Sequence, residues 1–509
     1  MDCNTDLCCF GLAETFQVLK AGSSRSSPKT YCSLLLAMIA MATPLLGKPN
    51  VIYILADDLG YGDLSCYGQA TFQTPHLDRL AENGMRFTSH YAGATVCAPS
   101  RYVLMTGKHN GRAAIRDNRI NALAEEEFTL AELFKKAGYR TGLMGKWGIG
   151  TPPDDKDPNR AGFDEFYGYN NMFHAHNYYP EFLIRNGKKE MLRNVVPDFF
   201  DEPTDYMPVA YYLEGRGVAT KKVDYAPQMI HDEALGFIED NKDNPFFLYY
   251  ALNIPHANNE AGSGYTKSGE RIRGKQFDGM AVPDHGAFAD KDWPVQEKGF
   301  ARMIQHIDDW VGEIVAVVDR LGLSKDTVIL FSSDNGPHQE GNHDHEFFNS
   351  NGDFKGYKRD LYDGGIRVPF IVSWPGTVPV GTESDLMSGF QDMMPAMAEL
   401  IGIEKPDTDG ISFLPTLLGN GDLQANHEFL YWEFPSTTGK QALLYLNQWK
   451  AIRQGLFENK NAPVELYDIT KDVGEDRDLA AVYPALADRL LAMMMEQHTP
   501  YTDEWNLTQ

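Results

Sequence analysis

Five short apolar stretches dominate the pattern of hydrophobic and polar positions along the chain. They are 50–56 (NVIYILA), 139–145 (YRTGLMG), 245–253 (PFFLYYALN), 327–334 (TVILFSSD) and 367–375 (RVPFIVSWP). None alternates apolar with polar residues, which is typical of strands buried on both faces. Stretches with apolar residues three and four positions apart lie between them and predict helices at 74–85, 129–138 and 301–322. This alternation predicts an α/β fold with helices on both faces of the sheet.

The pattern changes after residue 405. Short strand-like runs follow at 427–434, 441–455 and 464–469, and a helical stretch comes at 483–497. They predict a smaller C-terminal subdomain at 406–509, an antiparallel sheet with a terminal helix, beside a main domain at 43–405.

The first 42 residues have the character of a targeting segment. Arg25 and Lys29 precede an apolar run at 34–42, and the triplet AMA at 40–42 resembles a small-residue cleavage site. The run is too short to span a bilayer. We therefore predict an exported protein, periplasmic or secreted, without stable membrane insertion. An ordered N-terminal helix is the alternative.

The charge balance narrows the class of partner. The chain carries 46 Lys and Arg against 71 Asp and Glu, a formal net charge of −25. This argues against nucleic acid as a partner. An anionic substrate is repelled at long range as well, so a local cluster of cations has to bind it.

Polar side chains follow four of the predicted strands, at Asp57-Asp58, Lys146, His256 and Asp334-Asn335. In an open α/β sheet, ligands bind outside the carboxyl ends of the strands, so we expect these groups to meet on one rim. The carboxylates and the amide form an all-oxygen set that suits Ca²⁺ or Mg²⁺ and is poor for zinc. The alternative is that each residue caps a helix or forms a turn.

Cys97 is a candidate nucleophile. Four of the six cysteines precede residue 43, which leaves Cys66 and Cys97. Pro99 and Ser100 indicate a helix N-terminus at Cys97, where a thiol is expected to be acidified. The alternative is a small buried hydrophobe. A soft thiolate is mismatched with a hard cation, so the chemistry requires that this side chain bear oxygen.

The sequence CAPSRYVLMTG at 97–107 resembles the signature of the type I, formylglycine-dependent sulfatases of the alkaline phosphatase superfamily. ILADDLGYGD, GKWG, SSDNGPH and GYKRDLYDGGIRVP occur in the order of that family. The resemblance covers essentially everything after the N-terminal segment. It implies a large mixed, mostly parallel sheet sandwiched by helices. It also implies conversion of Cys97 to formylglycine (3-oxoalanine) during export, by a formylglycine-generating or an anaerobic sulfatase-maturating enzyme.

The resemblance further implies a mechanism of sulfate ester hydrolysis. One hydroxyl of the hydrated formylglycine attacks sulfur, and the other later expels sulfate. Arg101, Lys146 and Lys358 match the family's cations around the sulfate, and His256 matches the histidine that protonates the leaving alcohol. Singly, such cations are usually just solvated, and such a histidine just hydrogen-bonded. The residues matching the ligands of one Ca²⁺ are Asp57, Asp58, Asp334, Asn335 and the converted Cys97.

One departure from the family concerns the base. Many members read Gly-Lys-Trp-His where this chain reads GKWG, so Gly148 replaces a histidine that helps to deprotonate the diol. We hypothesise that His174 or His176 reaches the site instead, in which case mutating it to Ala lowers turnover and leaves calcium binding intact. A role of this pair in shaping the substrate pocket is the alternative.

The substrate class is predicted from two insertions. Residues 172–216 interleave aromatic with polar residues, and residues 257–300 form a long Gly-rich stretch of weak periodicity. Long loops over a rigid rim usually carry recognition, and aromatic faces suit sugar rings, so we predict a sulfated glycan substrate. Ordinary packing is expected to account for at least half of these aromatics, which are Phe173, Tyr178, Tyr179, Phe182, Phe199, Phe200, Tyr206, Tyr211 and Tyr212.

Two rival functions stay open at this point. A phosphate or phosphonate ester hydrolase of the same superfamily usually has a Thr or Ser nucleophile and more metal ligands than this sequence offers. A non-catalytic glycan-binding relative is consistent with the loss of a base at Gly148, but the complete CAPSR sequence argues against it.

Overall fold

The computed structural model describes residues 47–118, 123–149, 156–196, 215–262, 264–265, 271–272, 278–502 and 505–507. The predicted targeting segment at 1–42 lies outside these residues. So do five of the aromatic residues predicted to contact sugar, namely Phe199, Phe200, Tyr206, Tyr211 and Tyr212.

The described strands lie in one large sheet and three smaller ones. In chain order they are β1 Asn50–Asp57, β2 Met85–Phe87, β3 His90–Tyr91, β4 Arg140–Lys146, β5 Glu165–Tyr169, β6 Phe182–Arg185, β7 Lys188–Met191, β8 Phe246–Pro255, β9 Gly264–Tyr265, β10 Arg271–Ile272, β11 Thr327–Ser333, β12 Phe370–Ser373, β13 Thr382–Ser384, β14 Ser388–Gly389, β15 Phe429–Phe434, β16 Lys440–Tyr445, β17 Trp449–Gln454 and β18 Glu465–Asp468.

The large sheet has ten strands in the order β13-β2-β12-β11-β1-β8-β4-β5-β6-β7. Its central strands β11, β1, β8, β4 and β5 are parallel. Antiparallel pairs flank this centre, β11 with β12 on one side and β5 with β6 on the other. The predicted mixed, mostly parallel sheet is therefore confirmed.

Helices cover both faces of this sheet. The described α-helices are α1 Pro75–Glu82, α2 Cys97–Thr106, α3 Leu130–Lys136, α4 Ala226–Asp240, α5 Asn259–Gly262, α6 Val295–Arg320, α7 Asp363–Ile366, α8 Met393–Leu400, α9 Leu414–Leu417 and α10 Pro484–Gln497. Among the residues described, none of the helices has the length and apolar character needed to cross a membrane.

Strand β1 shows why the sheet is buried on both faces. All eight of its residues are buried. Side chains of β1 alternate between two hydrophobic cores because successive strand residues point to opposite faces. One core packs against α2, α3 and α8, and the other packs against α1, α4 and α6. A half-exposed strand would instead show polar residues at every second position, and this one shows none between Asn50 and Asp57.

The C-terminal part forms the predicted antiparallel sheet, with the strand order β15-β16-β17-β18. Helix α10 packs on it through Leu490 and Met494. The other side of the sheet contacts the main part of the chain, where Trp432 Nε1 donates to Ala92 O at 2.9 Å and Lys450 Nζ donates to Asp363 Oδ1 at 2.6 Å. The border between residues 405 and 406 stays a prediction.

Candidate active site

Four loops meet at the carboxyl ends of the adjacent parallel strands β11, β1, β8 and β4. They carry the four polar groups that the sequence places at strand ends. All of these side chains are buried, together with Cys97, Arg101 and Lys358, and none is more than 2% exposed. We call Asp57, Asp58, Asp334, Asn335 and Cys97 the rim cluster.

Each carboxylate of the rim cluster contacts a cation. Lys146 Nζ donates to Asp57 Oδ2 at 2.7 Å, and Lys358 Nζ donates to Asp58 Oδ2 at 2.7 Å. Nε and Nη2 of Arg101 lie 2.9 and 2.8 Å from Asp334 Oδ2. These three cations are the ones that the resemblance implies, and the fold brings them to the site from residues far apart in the sequence.

The oxygen atoms of the rim cluster fit a hard divalent cation. Asn335 Nδ2 donates to Asp58 Oδ1 at 2.7 Å, whereas Asn335 Oδ1 is buried and accepts no hydrogen bond within the described part of the chain. A buried polar atom without a partner is uncommon and calls for an explanation. Carboxylate and amide oxygens are preferred ligands of Ca²⁺, so a cation at this point would satisfy the amide.

The charges of the rim cluster also favour a bound cation. Burial and the neighbouring Asp57 carboxylate raise the pKa of Asp334 to about 7. Burial opposes ionisation of Asp57 as well, but the adjacent Lys146 charge holds the pKa of Asp57 well below its usual value. Burial and the nearby carboxylates thus disfavour the charged form of Asp334 alone among the three, and a bound divalent cation would favour its ionisation.

Cys97 is the first residue of α2, as predicted, and its Sγ lies 3.4 Å from Asp57 Oδ1 and 4.0 Å from Asp58 Oδ1. The expectation of an acidified thiol is wrong. Burial raises the pKa of Cys97 well above its ordinary value, because a thiolate there would be desolvated and would face carboxylates. An unmodified Cys97 is therefore a poor nucleophile in this position.

His256 lies beside the rim cluster. Its Nε2 is 3.0 Å from Lys358 Nζ and 3.5 Å from Asp58 Oδ2, and its Nδ1 is 2.6 Å from Ala257 O. Burial and the Lys358 charge hold the pKa of His256 well below its usual value. Glu340, which sequence reasoning missed, lies 3.1 Å from Lys358 Nζ. Its position six residues after Asp334, in the same loop, was the available signal.

The two proposed replacement bases lie in different surroundings. The ring of His176 stacks on His256 with centroids 4.7 Å apart, and its Nδ1 lies 3.5 Å from Glu260 Oε2. His174 Nε2 is instead 2.9 Å from Phe182 O, and its ring packs against Tyr169. The fold thus brings His176 to the edge of the site, whereas His174 takes part in packing.

Gly148 could not simply be exchanged for the family's histidine. Its φ is 71°, in the left-handed region that favours glycine. A Cβ atom built there would lie 2.8 Å from Cδ of Arg101. A larger residue at this position would displace the guanidinium that contacts Asp334.

Comparison with known proteins identifies the family to which this chain belongs. A family model described as Sulfatase matches residues 49–403, which is more than half of the chain. This chain belongs to the sulfatase family. It is a sulfuric ester hydrolase, a type I sulfatase of the alkaline phosphatase superfamily. A second model, N-sulphoglucosamine sulphohydrolase C-terminal, matches residues 352–499 of this sulfatase.

Individual relatives support the assignment. Arylsulfatase A of Homo sapiens is 29% identical, over 89% of this chain and 87% of that protein. N-acetylgalactosamine-6-sulfatase of Rattus norvegicus is 30% identical, over 83% and 76%. The solved structure of Ps i-CgsB in complex with k-i-k-neocarrahexaose has a TM-score of 0.69 and 25% identity, over 89% of this chain and 94% of that chain.

The described aromatic residues of segment 172–216 do not line the active site of this sulfatase as a sugar platform. Tyr178, Tyr179 and Phe182 are buried within the hydrophobic cores, and Phe173 packs against one of them. Tyr178 also donates its hydroxyl to the backbone carbonyl of His256. The packing alternative therefore describes these four.

Proposed function

We propose that this sulfatase hydrolyses sulfate esters of sulfated glycans with an oxygen nucleophile formed from Cys97 as formylglycine, assisted by one Ca²⁺ on the rim cluster. The observation that supports this most is the position of Cys97 Sγ, 3.4 Å from Asp57 Oδ1 in a cluster that also holds an unpartnered amide oxygen. The elevated pKa of the Cys97 thiol supports conversion, because the unmodified side chain would stay protonated there.

Asp57, Asp58, Asp334 and Asn335 would hold the calcium ion. When bound, the ion would neutralise their charge and attract the oxygens of the sulfuryl group. The aldehyde derived from Cys97 would supply, as its hydrate, a hard oxygen nucleophile. Conversion during export, by either class of maturating enzyme, belongs to the same proposal.

Cations of the chain itself would stabilise the sulfate group at the rim cluster. Lys146 and Lys358 approach the rim cluster through Asp57 and Asp58 and present two ammonium groups to negative charge that develops on sulfuryl oxygens. Arg101 holds Asp334 in place from the inner side of the cluster. Water is excluded from all three, because their side chains are buried.

His256 would give a proton to the leaving alcohol. In the resting site burial and the Lys358 charge lower the pKa of His256, so the imidazole is neutral. An anionic ester beside Lys358 would counter that charge and raise the pKa of His256, so that protonation follows substrate binding. His176 would position His256 by stacking on its ring and would act as base in place of the family histidine.

A glycan substrate is supported by the relatives. One curated relative is named for N-acetylgalactosamine 6-sulfate, and the similar solved structure holds an oligosaccharide. The net charge of −25 disfavours capture of a polyanion by the general surface, so recognition has to be local.

The proposal is tested by mass spectrometry of the protein exported by its native host. The peptide that contains Cys97 is expected to carry an aldehyde in place of the thiol, and the purified protein is expected to hydrolyse an aryl sulfate in calcium and to lose that activity in a chelator. A phosphonate ester serves as the control substrate. An unmodified thiol in spite of an active maturation system would contradict the proposal, as would faster hydrolysis of the phosphonate.

A further inference from the structure

A cavity lies beside Lys358. It has a volume of about 510 Å³ and lies between the loop at 339–360 and the C-terminal sheet. The C-terminal sheet contributes the turn between β15 and β16, with Thr437 and Thr438, the first residue of β16 and the last residue of β17. We call this space the outer cavity.

The lining of the outer cavity suits a hydroxylated ligand. Its described lining residues include no aliphatic side chain, and Gln339, Thr437, Thr438 and Gln454 supply hydroxyl and amide groups. Such groups both donate and accept hydrogen bonds, as sugar hydroxyls require. Because the cavity begins at Lys358, a sugar in it would be joined to a sulfate ester held at the rim cluster.

The charge of the lining departs from that of the chain. Three cations, Lys358, Arg359 and Lys440, face two carboxylates, Glu340 and Asp360. The lining residues themselves carry one more positive than negative charge in a chain whose net charge is −25, and Lys358 also pairs with Asp58 behind the lining. A local positive region of this kind binds anions against the long-range repulsion of the whole molecule.

Arg359 is held in an unusual backbone conformation. Its φ is 81°, which a residue with a side chain rarely adopts. Its N–H donates to Thr95 O at 3.1 Å, two residues before Cys97, and its carbonyl accepts from Lys440 Nζ at 2.9 Å. Such conformations persist where the surroundings impose them, and they concentrate at functional sites.

The guanidinium of Arg359 can donate hydrogen bonds to a ligand in addition to Glu340. Its side chain is 40% exposed, and its Nη2 lies 2.5 Å from Glu340 Oε1. An arginine carries five N–H donors in a planar fork that matches carboxylate and sulfate oxygens. One glutamate oxygen leaves most of that fork for a ligand. Lys440 Nζ, 2.6 Å from Asp360 Oδ1, adds a second cation at the same wall.

We propose that the outer cavity binds the sugar that bears or adjoins the scissile sulfate, and that Arg359 with Lys440 selects a substrate carrying a second anionic group. That group is a carboxylate or another sulfate, whose shared chemistry is an oxyanion that pairs with guanidinium and ammonium. The inference rests on the proposed function, because it takes the scissile ester to lie beside Lys358.

The test is a binding measurement on the Cys97→Ala variant of the full chain, by calorimetry in calcium. Three probes are compared: N-acetylgalactosamine 6-sulfate, its 4,6-disulfate, and the disaccharide of glucuronate with N-acetylgalactosamine 6-sulfate. We expect at least one probe with two anions to bind about 10- to 100-fold tighter than the probe with one. The tighter of the two identifies sulfate or carboxylate as the second group.

Adding Arg359→Asn is expected to reduce that ratio to about two or less. Asparagine tolerates the left-handed conformation, so this variant removes the charge with little disturbance of the backbone. Arg489→Gln removes an exposed arginine of helix α10 that pairs with Glu428 outside the outer cavity, so it is the matched control and should preserve the ratio. Equal affinity for all probes, no binding of any, or a ratio unchanged by Arg359→Asn overturns the inference. Turnover of an aryl sulfate by the converted enzyme is scored separately and decides the proposed function.

Discussion

Two buried charged clusters in this protein differ in how their oxygens are used. Glu433, in the C-terminal sheet, is fully buried and accepts four hydrogen bonds. Arg116 Nη1 and Trp505 Nε1 donate to its Oε1 at 2.6 and 2.9 Å, and Tyr431 Oη and His498 Nδ1 lie 2.7 and 2.9 Å from its Oε2. In the rim cluster, by contrast, Asn335 Oδ1 has no partner within the described residues.

Burial of charge is therefore not by itself a sign of function. Both clusters exclude water, and both contain arginine paired with carboxylate. The Glu433 cluster satisfies every oxygen and joins the C-terminal segment to the loop at Arg116. The rim cluster gathers three carboxylates, one of them with a raised pKa, and leaves an acceptor free. The rim cluster thus combines an unpartnered oxygen with three adjacent carboxylates, a set of ligands that suits a divalent cation, whereas the oxygens of Glu433 are already paired.

The largest contrast is expected from removing one charge of the rim cluster. Asp334→Asn should lower kcat/KM for a sulfate ester on the order of 10³-fold, because a ligand of the cation and a preorganised charge are lost. At pH 5 the thermal midpoint of the calcium-free protein should barely move, since burial and the Asp57 carboxylate raise the pKa of Asp334 to about 7 and its side chain is already neutral at that pH. A large loss of stability without calcium would place Asp334 with the structural carboxylates.

The same chemical change in the other cluster should have the opposite outcome. Although burial alone would raise it, the His498 hydrogen bond and the Arg116 charge hold the pKa of Glu433 below its ordinary value. Glu433→Gln should therefore destabilise the fold by about 3 kcal/mol, because it leaves Arg116 buried and unpaired. Thermal unfolding measures the loss. Turnover per folded molecule should stay within about two-fold of that of the parent protein. A 10-fold decrease would mean that the Glu433 cluster also contributes to activity.

The pH dependence of stability should separate the clusters by sign. The pKa of Glu433 is lowered on folding, so its contribution is present above the unfolded pKa, about 4.5, and is lost as pH falls through the folded value. The folded pKa of Asp334 is about 7, so its contribution is present below about pH 4 and is lost as pH rises through 7.

Thermal midpoints in calcium-free buffer test these signs. Between pH 5 and 8, Asp334→Asn should flatten the decline of the midpoint by a few degrees, whereas Glu433→Gln should leave that slope unchanged. Below pH 4.5, Glu433→Gln should flatten the acid-side loss. The reverse assignment of slopes would refute the contrast.

The smallest expected effect concerns the two histidines. His176→Gln should lower kcat about 10-fold, because its ring stacks on His256. His174→Gln, whose ring packs against Tyr169 away from the rim cluster, should change kcat by less than about two-fold once folded. The pH profile of kcat should shift in His176→Gln and not in His174→Gln. Calcium binding, followed as the shift in thermal midpoint, should persist in both, and equal kinetic effects would assign the pair to pocket shape.

Much of the fold followed from local patterns. The unbroken apolar run at 50–56 predicted a doubly buried strand, and β1 is one. Asp57, Lys146, His256 and Asp334 could be expected on one rim because each follows such a strand. Lys358 came only from the resemblance to the family, since nothing local distinguishes it from other lysines of Gly-rich loops. Helix α6 begins at Val295, six residues before the start predicted from the sequence. The prediction missed these residues because the first turns of the helix carry fewer apolar residues than the rest.

Other features had no local signal. The chain reads FLYWEF at 429–434, and nothing in that run shows that Glu433 meets Arg116, Tyr431, His498 and Trp505. Aromatic residues at 172–216 suggested sugar contacts, yet Tyr178 and Tyr179 lie in the core. The composition of a segment shows which chemical groups it carries. It does not show which face of the segment is buried against the rest of the protein.

The individual strands, the polar groups at their ends and the motifs of the family could be read from the sequence, because each is encoded by a short continuous stretch of residues. Only the tertiary structure decided that Cys97 is too buried to act as a thiolate, that His176 and not His174 reaches the site, and that the C-terminal sheet walls the outer cavity. The physical reason is that desolvation and pairing of charges depend on the density and sign of groups that folding brings together from distant parts of the chain.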